Sequence, residues 1–290
     1  MPELPEVEHT RRMLEAWALL ARITTVTVSD PRIVRPTSPR TFAAKLTGQT
    51  LRALTRRGKW LRASLDDFNL FIHLGMTGWF TQPGCPSTKE KKPSKTQRGR
   101  FSRTQERGVA GAERFERVRF ELRQRPAIVY VDPRRWGRLI VAEGEIDAWT
   151  KLGPDPLVDG IDPEALHAKL QRRKARSIKE VLLDQTVLAG VGNIQSIEAL
   201  WRARIDPRSA AHRLTLAQVS AIAAGLRWSI KRTLVDLEKG NGLASEGGDN
   251  NFRVYGRKGE PCPRCARALD RIELGGRTTT LCQGCQAFVD

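Results

Sequence analysis

The sequence predicts an α+β chain of several domains: an N-terminal helix followed by an antiparallel β-sandwich, then an all-helical segment, then a short tail built round four cysteines. Three observations carry that expectation. Apolar residues alternate with period two through most of the first half and recur near period 3.6 beyond about residue 160. Between the two regimes, Leu152-Gly153-Pro154-Asp155-Pro156-Leu157 has the proline and glycine spacing of an interdomain hinge. The tail carries its cysteines in two close pairs. These breaks divide the 290 residues into 1–150, 151–245 and 246–290, and an apolar fraction of 40% is enough for ordinary cores.

From Glu6 to about Arg22, Val7, Met13, Leu14, Trp17 and Leu20 fall at helical spacing and give one buried face. Alternation follows. Ile23 to Val28, Leu51 to Leu65 turning at Gly58, Leu70 to Phe80, Val118 to Leu122, Ala127 to Val131 and Arg138 to Val141 read as short strands. Residues 83–117 interrupt the pattern with Lys89, Lys91, Lys92, Lys95, Arg98, Arg100, Arg103 and Arg107, and are expected to be a disordered basic insertion that adds nonspecific attraction to phosphate. Beyond the hinge, Asp162 to about Gln171, Ile178 to about Gln185, Asn193 to about Arg204 and Thr215 to about Lys239 read as helices. A glycine-rich loop, Gly240 to Asn251, leads into the tail.

Charge narrows the partner. With 50 Lys and Arg against 32 Asp and Glu, the net charge of +18 points to an extended anion, nucleic acid before an anionic membrane, since no strongly basic amphipathic helix is evident. No apolar run approaches the roughly 20 residues of a membrane span, and the acidic start lacks the regions of a signal peptide. An intracellular, cytoplasmic setting is expected, nucleoid-associated in a bacterium.

Several constellations carry chemistry. Met1-Pro2-Glu3-Leu4-Pro5-Glu6-Val7-Glu8 would, once Met1 is removed, present a free secondary amine. An α-amino group titrates at about 7.7 to 8.0, so part of it is unprotonated near neutrality and able to attack a carbon electrophile. The same residues also suit simple helix entry, with proline and acids at the positive end of the dipole. Cys262-x2-Cys265, sixteen intervening residues, then Cys282-x2-Cys285 can deliver four thiolates to one structural Zn²⁺, a reading favoured over two disulfides by the intracellular setting. Cys85 stands apart as a free thiol. Between the knuckles, Leu269 to Leu281 reads as a hairpin turning at Gly275-Gly276, with Arg277 near its tip where a guanidinium can fork onto phosphate. Gly190-Val191-Gly192-Asn193 opens a helix either as an anion-binding start or with Asn193 as an ordinary N-cap. Arg57-Gly58-Lys59-Trp60 sets an ammonium at a strand turn, and Leu74-Gly75-Met76-Thr77-Gly78 suggests an exposed loop. Asp132-Pro133-Arg134-Arg135-Trp136-Gly137 places an arginine and an aromatic at alternate turn positions, groups that can enter a duplex where a base has left the stack.

Taken in order, these motifs with Val254-Tyr255-Gly256-Arg257 resemble the formamidopyrimidine-DNA glycosylase (Fpg/Nei) family over nearly the whole chain outside the insertion. Glu3-Leu4-Pro5-Glu6 is closer to its formamidopyrimidine branch than to its endonuclease VIII branch. The resemblance implies a bifunctional DNA glycosylase and AP lyase of base-excision repair. Its parts would be a catalytic β-sandwich domain (1–150), a helix-two-turns-helix domain (151–245) and a zinc finger preceded by the end of the lesion loop (246–290), holding damaged double-stranded DNA as a monomer. By matching position, Pro2 would attack the anomeric carbon, Glu3 would act as acid and base, and Glu6 would support them. Lys59, Asn193 and Arg277 would meet the phosphate backbone, Lys59 and Arg277 also assisting catalysis. Met76, Arg134 and Trp136 would fill the void left by the flipped nucleotide. Trp136 departs from the family's usual Phe, Gln195 stands where an aromatic often meets phosphate, and Gly240 to Asn251 departs from the usual lesion-capping loop. The competing class is a noncatalytic zinc-containing binder of damaged or abasic DNA, against which the Pro2-Glu3 pair argues.

Overall fold

A computed structural model describes residues 2–83, 112–174, 176–239 and 251–290. Most of the expected insertion, with Cys85, and nearly all of the Gly240–Asn251 loop lie outside the described residues. The chain divides into two compact units. Pro2, Glu6–Thr150 and residues 237–239 belong to the first, and Glu3–Pro5, Lys151–Asp236 and residues 251–290 to the second.

The first unit opens with helix α1 (Leu4–Ala18), whose first residues Leu4 and Pro5 count with the second unit. Val7, Leu14 and Ala18 are buried along one side of α1, as helical spacing requires. Two four-stranded antiparallel sheets follow. One has the order β1 (Ile23–Val28), β6 (Glu116–Leu122), β7 (Arg125–Val131), β5 (Trp79–Thr81); the other runs β2 (Ala53–Arg57), β3 (Trp60–Ser64), β4 (Asn69–His73), β8 (Arg138–Ala142). Alternation does what it should: Val118, Phe120 and Leu122 of β6, and Leu61 and Ala63 of β3, face a common apolar core. In β4, Leu70, Phe71 and Ile72 are all buried, because the second face is covered too, with Phe71 edge-on to Trp149 at 5.6 Å. Trp149 lies in the short helix α3 (Asp147–Thr150).

Three differences from the sequence reading have local causes. The stretch Leu70 to Phe80 is two strands, because Gly75 takes φ +68° and turns the chain out of the sheet before β5. A helix α2 (Pro39–Leu46) fills part of the gap between β1 and β2. Ser38 caps it by accepting from the Thr41 amide at 3.1 Å, with Pro39 at the first helical position. The basic insertion ends sooner than its composition suggests, for residues 112–115 form a 3-10 turn and β6 begins at Glu116.

In the second unit, α4 (Pro163–Gln171) starts at Asp162, which accepts from the Glu164 and Ala165 amides. Helix α5 (Ile178–Leu182) starts at a reciprocal capping box between Ser177 and Glu180. It is shorter than its apolar period suggests. Helix α6 (Asn193–Ala203) and the 23-residue α7 (Leu216–Glu238) close the helical core around Leu182, Leu200 and Leu226. The tail forms the hairpin β9 (Asp270–Leu274) and β10 (Arg277–Leu281). Gly275 and Gly276 join them with φ of +59° and +66°, the positive pair that a two-residue hairpin turn demands.

Candidate active site

Three loops leave the same end of the first unit's second sheet. Trp60 starts β3, His73 ends β4 and Arg138 starts β8, and these residues stand side by side in register. The Gly58-Lys59 turn, Leu74–Gly78 and Asp132–Gly137 therefore emerge together. Lys59 is buried, Met76 is half-buried and Arg134 and Trp136 are exposed, with the Arg134 guanidinium stacked 3.9 Å from the indole centroid. Behind them His73 tilts against Trp60 at 4.9 Å. Burial, then the charges of Lys59 and Arg138, push His73 down to about 4, so its ring is neutral at physiological pH. Its Nδ1 accepts from the Gly75 amide at 3.2 Å, which leaves the proton on Nε2.

The acids at the chain's start are all buried, but they sit in different surroundings. Pro2 and Glu6 are buried in the first unit. Glu8 accepts from Arg11, Arg12 and Arg56; burial opposes its charge, but the three guanidinium groups outweigh that and hold its carboxyl below the usual range. Arg56 also donates to the Gly58 carbonyl at 3.1 Å, so it links α1 to the turn that carries Lys59.

Glu3 is fixed within the second unit. Leu4 packs on Ile230 and Leu234 and its amide donates to the Gly190 carbonyl at 3.1 Å. That brings the Glu3 carboxylate to the start of α6, where it accepts from the amides of Ile194 at 2.9 Å and Gln195 at 3.0 Å. The helix start thus binds an anion from its own chain, its positive end directed at a carboxylate. Asn193 is not the N-cap, a position that Gly192 takes; it is the first helical residue, and its side-chain amide donates to the Thr278 carbonyl at 2.9 Å. Gln195 is fully buried, bonded to Ser229 and Thr233, and so is turned away from any surface partner.

Lys179 belongs to the same cluster, and the sequence reading missed it. It sits on the short α5 with no exposed surface and donates to Thr279 Oγ1 at 2.5 Å. Burial, with Arg277 second, pulls its amine down to about 8 against the opposing pull of Glu3 and Glu180. A lysine beside apolar Ile178 in a capped helix gives no sequence signal of burial. Arg277 itself is exposed at the start of β10. Tyr255 is raised by burial and by the Glu3 charge.

The four tail cysteines converge, their sulfurs all within 4.8 Å of one another. Cys262 and Cys285 are 3.9 Å apart and Cys265 and Cys282 3.5 Å, close to the roughly 3.8 Å edge of a tetrahedron with Zn–S bonds of about 2.3 Å. The donor set asks for a cation. Burial and neighbouring thiols push Cys285 up to about 12 and raise Cys282. Burial likewise opposes ionisation of Cys262, yet the Arg264 and Cys265 amides and the Trp201 indole draw it down to about 6. The indole N–H points at Cys262 Sγ from 3.4 Å, as an outer-shell donor to a thiolate would. These residues fit one zinc with a closed four-sulfur shell and hence a structural role.

Comparison with known proteins joins these parts. Residues 1–139 match the formamidopyrimidine-DNA glycosylase N-terminal domain, 152–242 the formamidopyrimidine-DNA glycosylase H2TH domain, and 259–287 the zinc finger found in FPG and IleRS. A formamidopyrimidine-DNA glycosylase of Streptococcus pyogenes serotype M6 is 34% identical, over 99% of this chain and 98% of its own. Among solved structures, the Lactococcus lactis Fpg in complex with abasic-site DNA superposes with a TM-score of 0.79 at 27% identity, covering 98% of this chain and 99% of that one. The same enzyme with FAPY-dG DNA gives 0.79 at 28%, with the same coverage.

Proposed function

The chain belongs to the formamidopyrimidine-DNA glycosylase family, and from that premise we propose that this DNA glycosylase of base-excision repair works through Pro2 and cuts the strand as well as freeing the base. The observation that carries the proposal is the Glu3 carboxylate, locked on two helix amides and joined through one peptide bond to Pro2.

With Met1 removed, the Pro2 nitrogen donates its lone pair to C1′ of the deoxyribose. The glycosidic C–N bond breaks and its electron pair leaves with the base, which takes up a proton. Glu3 shuttles a proton at the sugar ring oxygen, so that the ring opens and the C1′–N bond becomes an iminium. The iminium acidifies the C2′ proton; its loss expels the 3′ phosphate, and a second elimination expels the 5′ phosphate. Water finally releases Pro2. Lys59, Asn193 and Arg277 are assigned to the phosphates, Met76, Arg134 and Trp136 to the vacated stack, and Glu6 to support of the nucleophile. Zinc supplies no chemistry here; bound to its four cysteines it would stabilise the tail. Oxidised and ring-opened purines are the substrate class, damaged duplex DNA the partner, and a monomer the acting form.

Borohydride added during incubation with abasic duplex reduces the iminium to a stable amine. The expected result is a covalent protein–DNA adduct with Met-processed protein, and none with Pro2→Gly at early times or with protein that mass spectrometry shows to retain Met1. No adduct from fully processed protein would favour a noncatalytic binder of damaged DNA.

A further inference from the structure

Asp132 begins the turn that carries Arg134 and Trp136, and it has no exposed surface. Its Oδ2 accepts from the amides of Trp136 at 2.9 Å and Gly137 at 2.8 Å. Its Oδ1 accepts from the Arg134 amide at 3.2 Å and from the Thr77 hydroxyl at 2.8 Å. Besides the Tyr130 hydroxyl, which reaches Oδ2 from 3.4 Å, there are these four donors, three of which cap the carboxylate's own turn. The fourth belongs to the loop of Met76.

The residue type follows from that fourth bond. Burying a charge is costly unless its lone pairs are satisfied, and a lone turn can be capped by a neutral side chain. An asparagine here would have to aim its own N–H groups at part of a donor set that is already all N–H and O–H. A carboxylate accepts from both loops at once. The two loops are also in backbone contact: a Cβ on Gly75 would come 2.5 Å from the Trp136 carbonyl carbon, and Gly75 holds φ +68°. Tyr130 closes the joint from beneath, its hydroxyl 3.2 Å from the Leu74 carbonyl and 3.4 Å from Asp132 Oδ2. Added Cβ atoms on Gly78 and Gly137 would collide with that hydroxyl at 2.1 and 1.7 Å.

We propose that Asp132 is a positioning residue that clamps the Met76 loop to the Arg134–Trp136 turn, so that the two probe the duplex as one rigid wedge. The inference rests on the reading that Met76 and Trp136 fill the vacated stack. Trp136 is 54% exposed, yet its backbone is held at the amide and through the flanking Gly137. Without the Thr77 bond the carboxylate no longer ties the Met76 loop directly to the turn.

The test is a double-mutant cycle on the full chain with its zinc, using a duplex in which 2-aminopurine flanks a tetrahydrofuran abasic analogue. Stopped-flow fluorescence reads the unstacking rate for Met76→Ala, Trp136→Ala and the pair, each with Thr77, Thr77→Val or Thr77→Ser. The two truncations should be non-additive by about threefold or more with Thr77, additive with Val, and non-additive again with Ser, which restores the hydroxyl. A merely structural Thr77 would move stability without moving this coupling. Should Val loosen the whole turn, seen as faster amide exchange at Trp136 and Gly137, Thr77→Ala provides the same comparison. Coupling that survives loss of the hydroxyl overturns the clamp. If neither truncation changes the rate in any background, the wedge reading fails first and the clamp with it.

Discussion

Glu3 owes its position to a glycine. Gly192 caps α6 at φ −127°, a value open to any residue, so backbone conformation does not require glycine there. Space does. A Cβ at 192 would lie 2.2 Å from Glu3 Cδ and 2.3 Å from Oε1. Because those atoms end a flexible side chain, Gly192→Ala should leave the fold intact and displace the carboxylate. Base excision in single turnover should fall by about a hundredfold, a lost pair of charge-assisted bonds of roughly 1.5 kcal/mol each, while zinc content stays unchanged. Wild-type excision by that variant would detach Glu3 from the chemistry. Lys179 offers a pH test. Its amine falls from 10.5 to about 8 on folding. Between those values the unfolded chain binds more protons than the folded one, so this group adds stability as pH rises from 8 to 10.5; below 8 both states are protonated and the cost of burying the ammonium stands in full. The parent should therefore gain on Lys179→Met in urea denaturation between pH 8 and 10, and a difference flat from pH 7 to 10 would mean that the amine does not titrate there. Glu3 is conspicuous in the sequence because it adjoins Pro2. Lys179 is not, since burial of a lysine depends on Thr279 of a distant hairpin.

At the scale of elements, strands and long helices can be read directly from period, because burial on one face is what period records. The ends and the short pieces cannot. Helix α5 stops after Leu182 where its apolar run continues, and α2 escapes a reading by period although Ser38-Pro39 is a cap followed by a first-turn proline. Asn193 looks like an N-cap in the sequence, but tertiary structure gives the role to Gly192 and the helix amides to Glu3. The hairpin is clearer, since Gly275-Gly276 allows few alternatives. Its stability is another matter. Cys262 and Cys282 pack with Ile197, Trp201, Val254 and Leu269 in a small apolar cluster, too little to hold the tail without metal. Cys282→Ser should release zinc, disorder β9 and β10 and carry Arg277 out of place. Metal analysis and amide exchange across 262–287 provide the check; a zinc-free variant whose hairpin amides remain protected would show that the apolar cluster suffices.

Across the whole molecule, charge outweighs every other feature. A net +18 is legible at once and points to nucleic acid, but it cannot say which cations matter. The structure sorts some of them. Arg56 is spent on Glu8 and the Gly58 carbonyl, and Arg208 on Asp206, whereas Arg134 stacks on an exposed indole. Residues 87–107 add Lys89, Lys91, Lys92, Lys95, Arg98, Arg100, Arg103 and Arg107 against only Glu90 and Glu106. Charge so one-sided acts on any duplex, because phosphate attraction carries no sequence or lesion information. Each phosphate neutralised contributes about −0.9 to the slope of log affinity against log salt. If two or three of these side chains meet the backbone, removing residues 87–107 should flatten that slope by roughly 2 to 3 and weaken damaged and undamaged DNA alike. Lys59→Ala or Arg277→Ala should change it by about 1 each, with a larger loss of turnover than of binding. Equilibrium titrations at four salt concentrations on matched duplexes would separate the two. A deletion that left the slope alone but erased the preference for the damaged duplex would make the segment a lesion reader instead of an electrostatic arm.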